Sequence, residues 1–181
     1  VKDALGIPDY KVQVYVTYLT LRDENPNFGD VDGDGISENT ANPADRKKIV
    51  DWYIDETMRR FEEKGYKNLE FNGFYWVNEA VVWEKDDSQI IREVADATHA
   101  KGHNFLWIPY YAANRFYTGY ELGFDIVCMQ PNVVFKTDSP LWRFDSTAAM
   151  TKARKMCVEI EHSYQALADP AFARTYMLYL L

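Results

Sequence analysis

Apolar and polar positions along the 181 residues switch repeatedly between a period of two and a period near 3.6. Residues 11–18 (Lys-Val-Gln-Val-Tyr-Val-Thr-Tyr) alternate and are rich in β-branched and aromatic side chains, which predicts a strand. A polar loop rich in Gly and Asp runs to about Asn42. Pro43 then suits a first helical turn, and Ile49, Val50, Tyr53, Ile54, Thr57 and Phe61 recur at helical spacing up to about Lys64, with Gly65 as a stop. Residues 69–77 predict a second strand. Ser88 predicts the cap of a helix that carries Ile90, Ile91, Val94 and Ala95 and ends at Gly102. Strands are predicted at 104–108, 124–130 and 156–161, and a short helix at 117–122 before Gly123. A further helix starts at Asp145 or Ser146 and runs to about Lys155. Asp169-Pro170 opens a last one.

Five strands alternating with helices predict a parallel sheet with right-handed crossovers. No strand leads into G-x-G-x-x-G or a P-loop, which weighs against a doubly wound nucleotide-binding sheet. Polar residues follow the strand ends instead: Asn78 and Glu79, Gln130 and Asn132, Glu161 and His162. A (β/α)8 barrel keeps its chemistry there, and a full barrel takes about 250 residues. The expected fold is therefore α/β, a TIM-type (β/α)8 barrel that is partial. About five βα units, strands three to seven, would form a single domain over 1–181 that lacks two strands before residue 1 and one after Leu181.

Composition narrows the function. Lys and Arg number 20 against 28 Asp and Glu, a net charge of −8, with no basic tract to bind a phosphate backbone. That argues against a nucleic-acid partner. At 47% hydrophobic the chain can build a core, yet no apolar run is long enough for a membrane span. This stretch shows no basic-plus-apolar leader, which leaves export open. Cys128 and Cys157 lie in apolar strand segments and are expected to be buried core thiols. The three histidines lack metal-ligand spacing, which disfavours a metal-dependent barrel hydrolase, and nothing suggests an organic cofactor.

Three groups of residues carry candidate chemistry. The first is Asn78-Glu79 at one strand end and Glu159-Ile160-Glu161 at another. Two carboxyl groups about 5–5.5 Å apart suffice for a retaining glycosidase, one as acid/base and one as nucleophile. Glu159 and Glu161 share a face by strand alternation, with Glu161 nearer the mouth and Glu159 one layer deeper. The second is Asp30-Val31-Asp32-Gly33-Asp34-Gly35-Ile36-Ser37-Glu38 within a loop insertion over 29–45. Asp30, Asp32 and Asp34 fit positions one, three and five of a calcium loop. Ile36 would offer its carbonyl and Glu38 would stand at position nine. Position twelve is Ala41, where Asp45 could substitute, so a structural Ca2+ is expected. The third is a set of rings past strand ends. Trp83, Tyr110 and Trp142 are the best sugar platforms, and Gln130 and Asn132 would help to position a carbohydrate.

The first group resembles the large glycosidase superfamily called clan A, in which Asn-Glu ends the fourth strand and a Glu ends the seventh. The resemblance implies Glu79 as acid/base, Glu161 as nucleophile and Asn78 as a ligand of a sugar hydroxyl. The segments FGDVDGDGISE, GFYWVNE, FLWIPYYA, LGFDIVCMQPN and VEIE together resemble the bacterial domain-of-unknown-function family numbered 4855, from about Leu5 to Leu181. That resemblance implies a glycosidase-type barrel from polysaccharide-degrading bacteria that is secreted, periplasmic or at the cell surface. The function expected is a retaining glycoside hydrolase. The alternative is a non-catalytic carbohydrate-binding or cell-surface module on the same scaffold.

Overall fold

The computed structural model describes residues 6–7, 9–19, 21, 25–83, 85–135 and 138–180. Five strands form one sheet in the order of the sequence: β1 (Val12–Thr17), β2 (Leu69–Trp76), β3 (Asn104–Trp107), β4 (Ile126–Met129) and β5 (Cys157–Val158). Every neighbouring pair is parallel. Helices α1 (Pro43–Glu63), α2 (Asp87–Ala100), α3 (Trp142–Arg154) and α4 (Pro170–Met177) follow β1, β2, β4 and β5. A 3-10 segment, Phe116–Leu122, takes the place of a helix after β3. The result is a mixed α/β half-barrel. Among the described residues no helix is long and apolar enough to cross a membrane.

Local chemistry explains most of the boundaries. Asn42 accepts the Ala44 N–H at 2.9 Å with Pro43 in the first turn, so α1 begins where the pattern predicts. Gly65 follows its end at φ 57°, the left-handed conformation glycine tolerates. Asp169 caps α4 through the Ala171 N–H at 2.8 Å. Two starts differ from expectation. Ser88 is not the cap of α2: the helix opens at Asp87, whose carboxylate reaches back to the Val82 N–H at 2.8 Å. The third helix starts at Trp142 rather than at Asp145 or Ser146, and no side chain caps it.

Buried residues of alternate strand positions, Phe74, Trp76, Phe105, Trp107 and Val127, pack with Ile49, Val50 and Ile54 of α1 and Ile91, Val94 and Ala95 of α2 in one cluster. Arg46 is also buried there, at 2% exposure. Its guanidinium meets Glu93 at 2.9 and 3.3 Å, which pins α1 to α2 and satisfies a charge that would otherwise be costly to bury. The other face of the sheet is only half-covered at Leu106, Ile126 and Cys128. This corrects the expectation of two buried thiols. Cys128 is half-buried and Cys157 is exposed, because among the described residues β5 pairs on one side only, through Cys128 and Met129. The predicted strand 156–161 shrinks to two residues for the same reason: past Val158 the ladder has only the Glu159 N–H to Met129 carbonyl bond, at 2.9 Å.

Between β1 and β2 the register slips by one residue, so that Tyr15 faces Gly73 and Asn72 bulges. Asn72 bonds to the Tyr15 hydroxyl and accepts from Asn104 Nδ2 at 3.2 Å.

Candidate functional site

Because all five strands run in one direction, their C-terminal ends share one edge. Hydrogen bonds stitch the segments beyond those ends into a belt. The Trp107 indole donates to the Asn78 carbonyl at 2.8 Å and the Tyr110 N–H to the Glu79 carbonyl at 3.3 Å. The Gln130 N–H reaches the Pro109 carbonyl at 3.0 Å, and Tyr110 and Gln130 form an isolated parallel bridge. The Glu159 N–H continues the belt to Met129. The backbones of Glu79 and Glu159 are thus each tied to a neighbouring strand end.

Glu79, Glu159 and Glu161 lie close enough to influence one another electrostatically. Burial raises the pKa of Glu159, and the charges of Glu161 and Glu79 raise it further. Burial also raises that of Glu161, and Glu79 adds to it. Hydrogen bonds from Tyr179 and the Asn132 and Val133 backbone pull the other way. The Tyr75 hydroxyl is held above its ordinary value, by burial first and then by Glu79 and Glu159. Among the described residues no Lys, Arg or His forms an ion pair with any of the three carboxylates. Glu161 is 6% exposed, whereas Glu159 is half-buried and Glu79 exposed. Glu159 and Glu161 therefore differ in surroundings, although alternation would place them together.

Asn132 organises the turn after β4. Its φ of 53° is left-handed, which Asn adopts more readily than most residues. Its N–H and Nδ2 bond to Glu161 at 2.7 and 3.3 Å, its Oδ1 accepts the Tyr111 N–H at 2.9 Å, and its carbonyl accepts Arg143 Nη1 at 3.2 Å. Gln130 is buried, donates to the Ile108 carbonyl at 3.2 Å and accepts from Asn132 Nδ2 at 3.2 Å, so its side chain braces this turn. Asn78 Nδ2 is buried with no hydrogen-bond partner.

The rings fall in different places. Trp142 is 59% exposed at the head of α3, with Tyr111 6.0 Å away and Arg143 stacked over Tyr111. A cavity of about 430 Å3 opens beside it, lined by Asn132, Phe135, Asp138, Ser139, Pro140 and Arg143. Tyr110 is half-buried in the belt. Trp83 is also half-buried, its indole donating to the Asn114 carbonyl at 3.1 Å beneath Arg115.

The Asp-rich loop is a separate centre beside α1. Oxygens of Asp30, Asp32 and Glu38 lie within 4.8 Å of one another, and Glu38 is 2% exposed. The Asp30 carboxylate accepts the Gly33, Asp34 and Gly35 N–H groups, and Glu38 accepts that of Val31. The Lys48 ammonium sits among them, 2.6 Å from Asp32, 3.3 Å from Glu38 and 3.6 Å from Asp34, in the place of a cation. Ile36 projects its side chain to solvent and donates its N–H to Asp34. Asp45 does not complete the loop; it accepts the Asn39 N–H at 3.1 Å.

Sequence reasoning missed Tyr179, Arg143 and Lys48. Lys48 stands one turn into α1 and could have been found by placing that helix against the loop. Tyr179 carries no local signal.

No curated protein and no solved structure matches the chain. The model of the family described as domain of unknown function DUF4855 matches residues 1–181, and the chain belongs to that family.

Proposed function

We propose that the chain carries the catalytic edge of a retaining glycoside hydrolase on a TIM-type barrel, acting on a polysaccharide or oligosaccharide. The observation that carries this reading is the gathering of Glu79 and Glu161, from strands three places apart, on one C-terminal edge, with no cation among the described residues paired to either. Glu79, exposed at the mouth, protonates the leaving oxygen. Glu161 attacks the anomeric carbon to form a glycosyl-enzyme, which water opens with Glu79 now acting as base. The unpaired Asn78 Nδ2 supports a hydroxyl-binding role beside the reacting centre. Trp142 and Tyr110 give the sugar rings stacking surface, and Glu159 accepts from sugar hydroxyls between the two reacting groups. In the same reading the 30–38 loop takes structural Ca2+ through Asp30, Asp32, Asp34, Glu38 and the Ile36 carbonyl, with the Lys48 ammonium displaced.

The test uses a panel of aryl glycosides and polysaccharides. Glu161→Ala and Glu79→Ala are each expected to lower cleavage by several orders of magnitude. Only Glu79→Ala is expected to spare activated leaving groups and to be rescued by azide with retained configuration. Full activity in both variants would sink the enzyme reading. The engaged oxygens of Glu161 and the exposure of Trp142 would then favour a carbohydrate-binding module, for which Trp142→Ala should abolish binding.

A further inference from the structure

The two oxygens of Glu161 are not equivalent. Oε2 accepts two short bonds, from the Asn132 N–H at 2.7 Å and the Tyr179 hydroxyl at 2.9 Å. Oε1 accepts one longer bond, from Asn132 Nδ2 at 3.3 Å, and the Val133 N–H also bears on the carboxylate. Both donors to Oε2 are anchored on separate elements. The Tyr179 ring, just beyond α4, stands edge-on to Phe144 of α3 with centroids 4.9 Å apart. Asn132 is locked by its left-handed turn, by the Tyr111 N–H and by Arg143.

We propose that Tyr179 is a positioning residue that, with the Asn132 N–H, clamps Oε2 of Glu161 and leaves Oε1 as the oxygen facing the anomeric carbon. The inference rests on the glycosidase reading above. Two physical consequences follow from the clamp. It removes rotation of the carboxylate, so attack needs no ordering of that group at the moment of reaction. It also favours the charged form a nucleophile needs, because a donor aimed at a carboxylate stabilises the anion. The groups around Glu161 set the balance. Glu159 and Glu79 oppose its ionisation and so does burial, while Tyr179 and the Asn132 N–H favour it. Arg143 reaches it only through the Asn132 carbonyl, and the neighbouring His162 ring packs on Tyr176, 5.1 Å away.

The experiment titrates the Glu161 side-chain carboxyl carbon by NMR in the full chain, with the signal assigned by its loss in Glu161→Gln. Tyr179→Phe keeps the ring against Phe144 and removes only the hydroxyl. It is expected to move the Glu161 titration up by about one pH unit. The acid limb of kcat/KM on an aryl glycoside should rise by the same interval, with KM nearly unchanged. Asn132→Gly keeps the left-handed turn and the backbone N–H but removes the side-chain bonds to Oε1, to the Tyr111 N–H and to Gln130; because both bonds to Oε2 remain, the titration should move less. An unmoved titration in Tyr179→Phe, or a larger shift in Asn132→Gly, overturns the clamp. A shifted titration in a chain that cleaves no glycoside upholds Tyr179 as the anchor of Glu161 and overturns the glycosidase reading, so the two failures are separable.

Discussion

Gly73→Ala tests the sheet that positions the site. A Cβ at residue 73 would lie 1.8 Å from the Asn104 carbonyl oxygen, 2.7 Å from its carbon and 2.9 Å from its nitrogen, all backbone atoms of the paired strand. Even a close C···O contact is about 3.3 Å, so β2 and β3 would have to part there by about 1.5 Å. Strands pair about 4.8 Å apart, and a displacement of that size breaks local ladder bonds worth about 1 kcal/mol each. It also disturbs the buried Phe74–Phe105 register next to it. The φ of 158° adds backbone strain. The sum is a loss of roughly 3–4 kcal/mol, or a fall in melting temperature of about 10 °C for a chain of this length. Circular dichroism melts and urea titrations of the two proteins measure it. A variant within 0.5 kcal/mol of the parent would refute the close approach at Gly73 and with it the register of β2 on β3.

Glu159→Gln is expected to be more stable than the parent at neutral pH. The raised carboxyl pKa means the folded state holds its proton more tightly than the unfolded one, so parent stability falls as pH rises from the ordinary glutamate range, about 4.3, through the raised value. The two proteins should converge below that range, and a variant less stable at neutral pH would contradict the surroundings given to Glu159. Cys157 should react with a thiol reagent under native conditions well before Cys128, since Cys157 is exposed and the Cys128 thiol is pushed up to about 12, mainly by burial. Equal rates would contradict the β4–β5 arrangement. For the 30–38 loop, calcium should raise the melting temperature and EDTA reverse it, with a larger response in Lys48→Met, which removes the competing ammonium. If neither protein responds, the loop binds no metal.

What the sequence made legible follows from how local the signal is. Asn42-Pro43 and Asp169-Pro170 each hold a cap and a pre-set turn within two residues, and both helices begin there. The head of α3 was not legible because Leu141 and Trp142 offer no polar cap; the helix starts without one. The strand at 104–108 was legible from its apolar run, but not that Phe105 and Trp107 are buried while Leu106 is half-buried, nor that β5 stops at Val158. Pairing with a neighbour ends a strand, and pairing is not written in the strand itself. The strand-end carboxylates were legible as a pattern. Tyr179 was not, since its approach to Glu161 depends on how α4 packs rather than on any spacing.

Spatial order equal to sequence order has a consequence for how the chain assembles. Each strand docks on the one made before it, so growth of the sheet can follow synthesis from one end to the other, although each pairing must first close a crossover, as between Val12 and Leu69. Glu79 and Glu161 are 82 residues apart, just past the second and fifth of these strands. Their meeting therefore waits on the docking of β5, and a ligand bridging them would select chains in which β5 has docked.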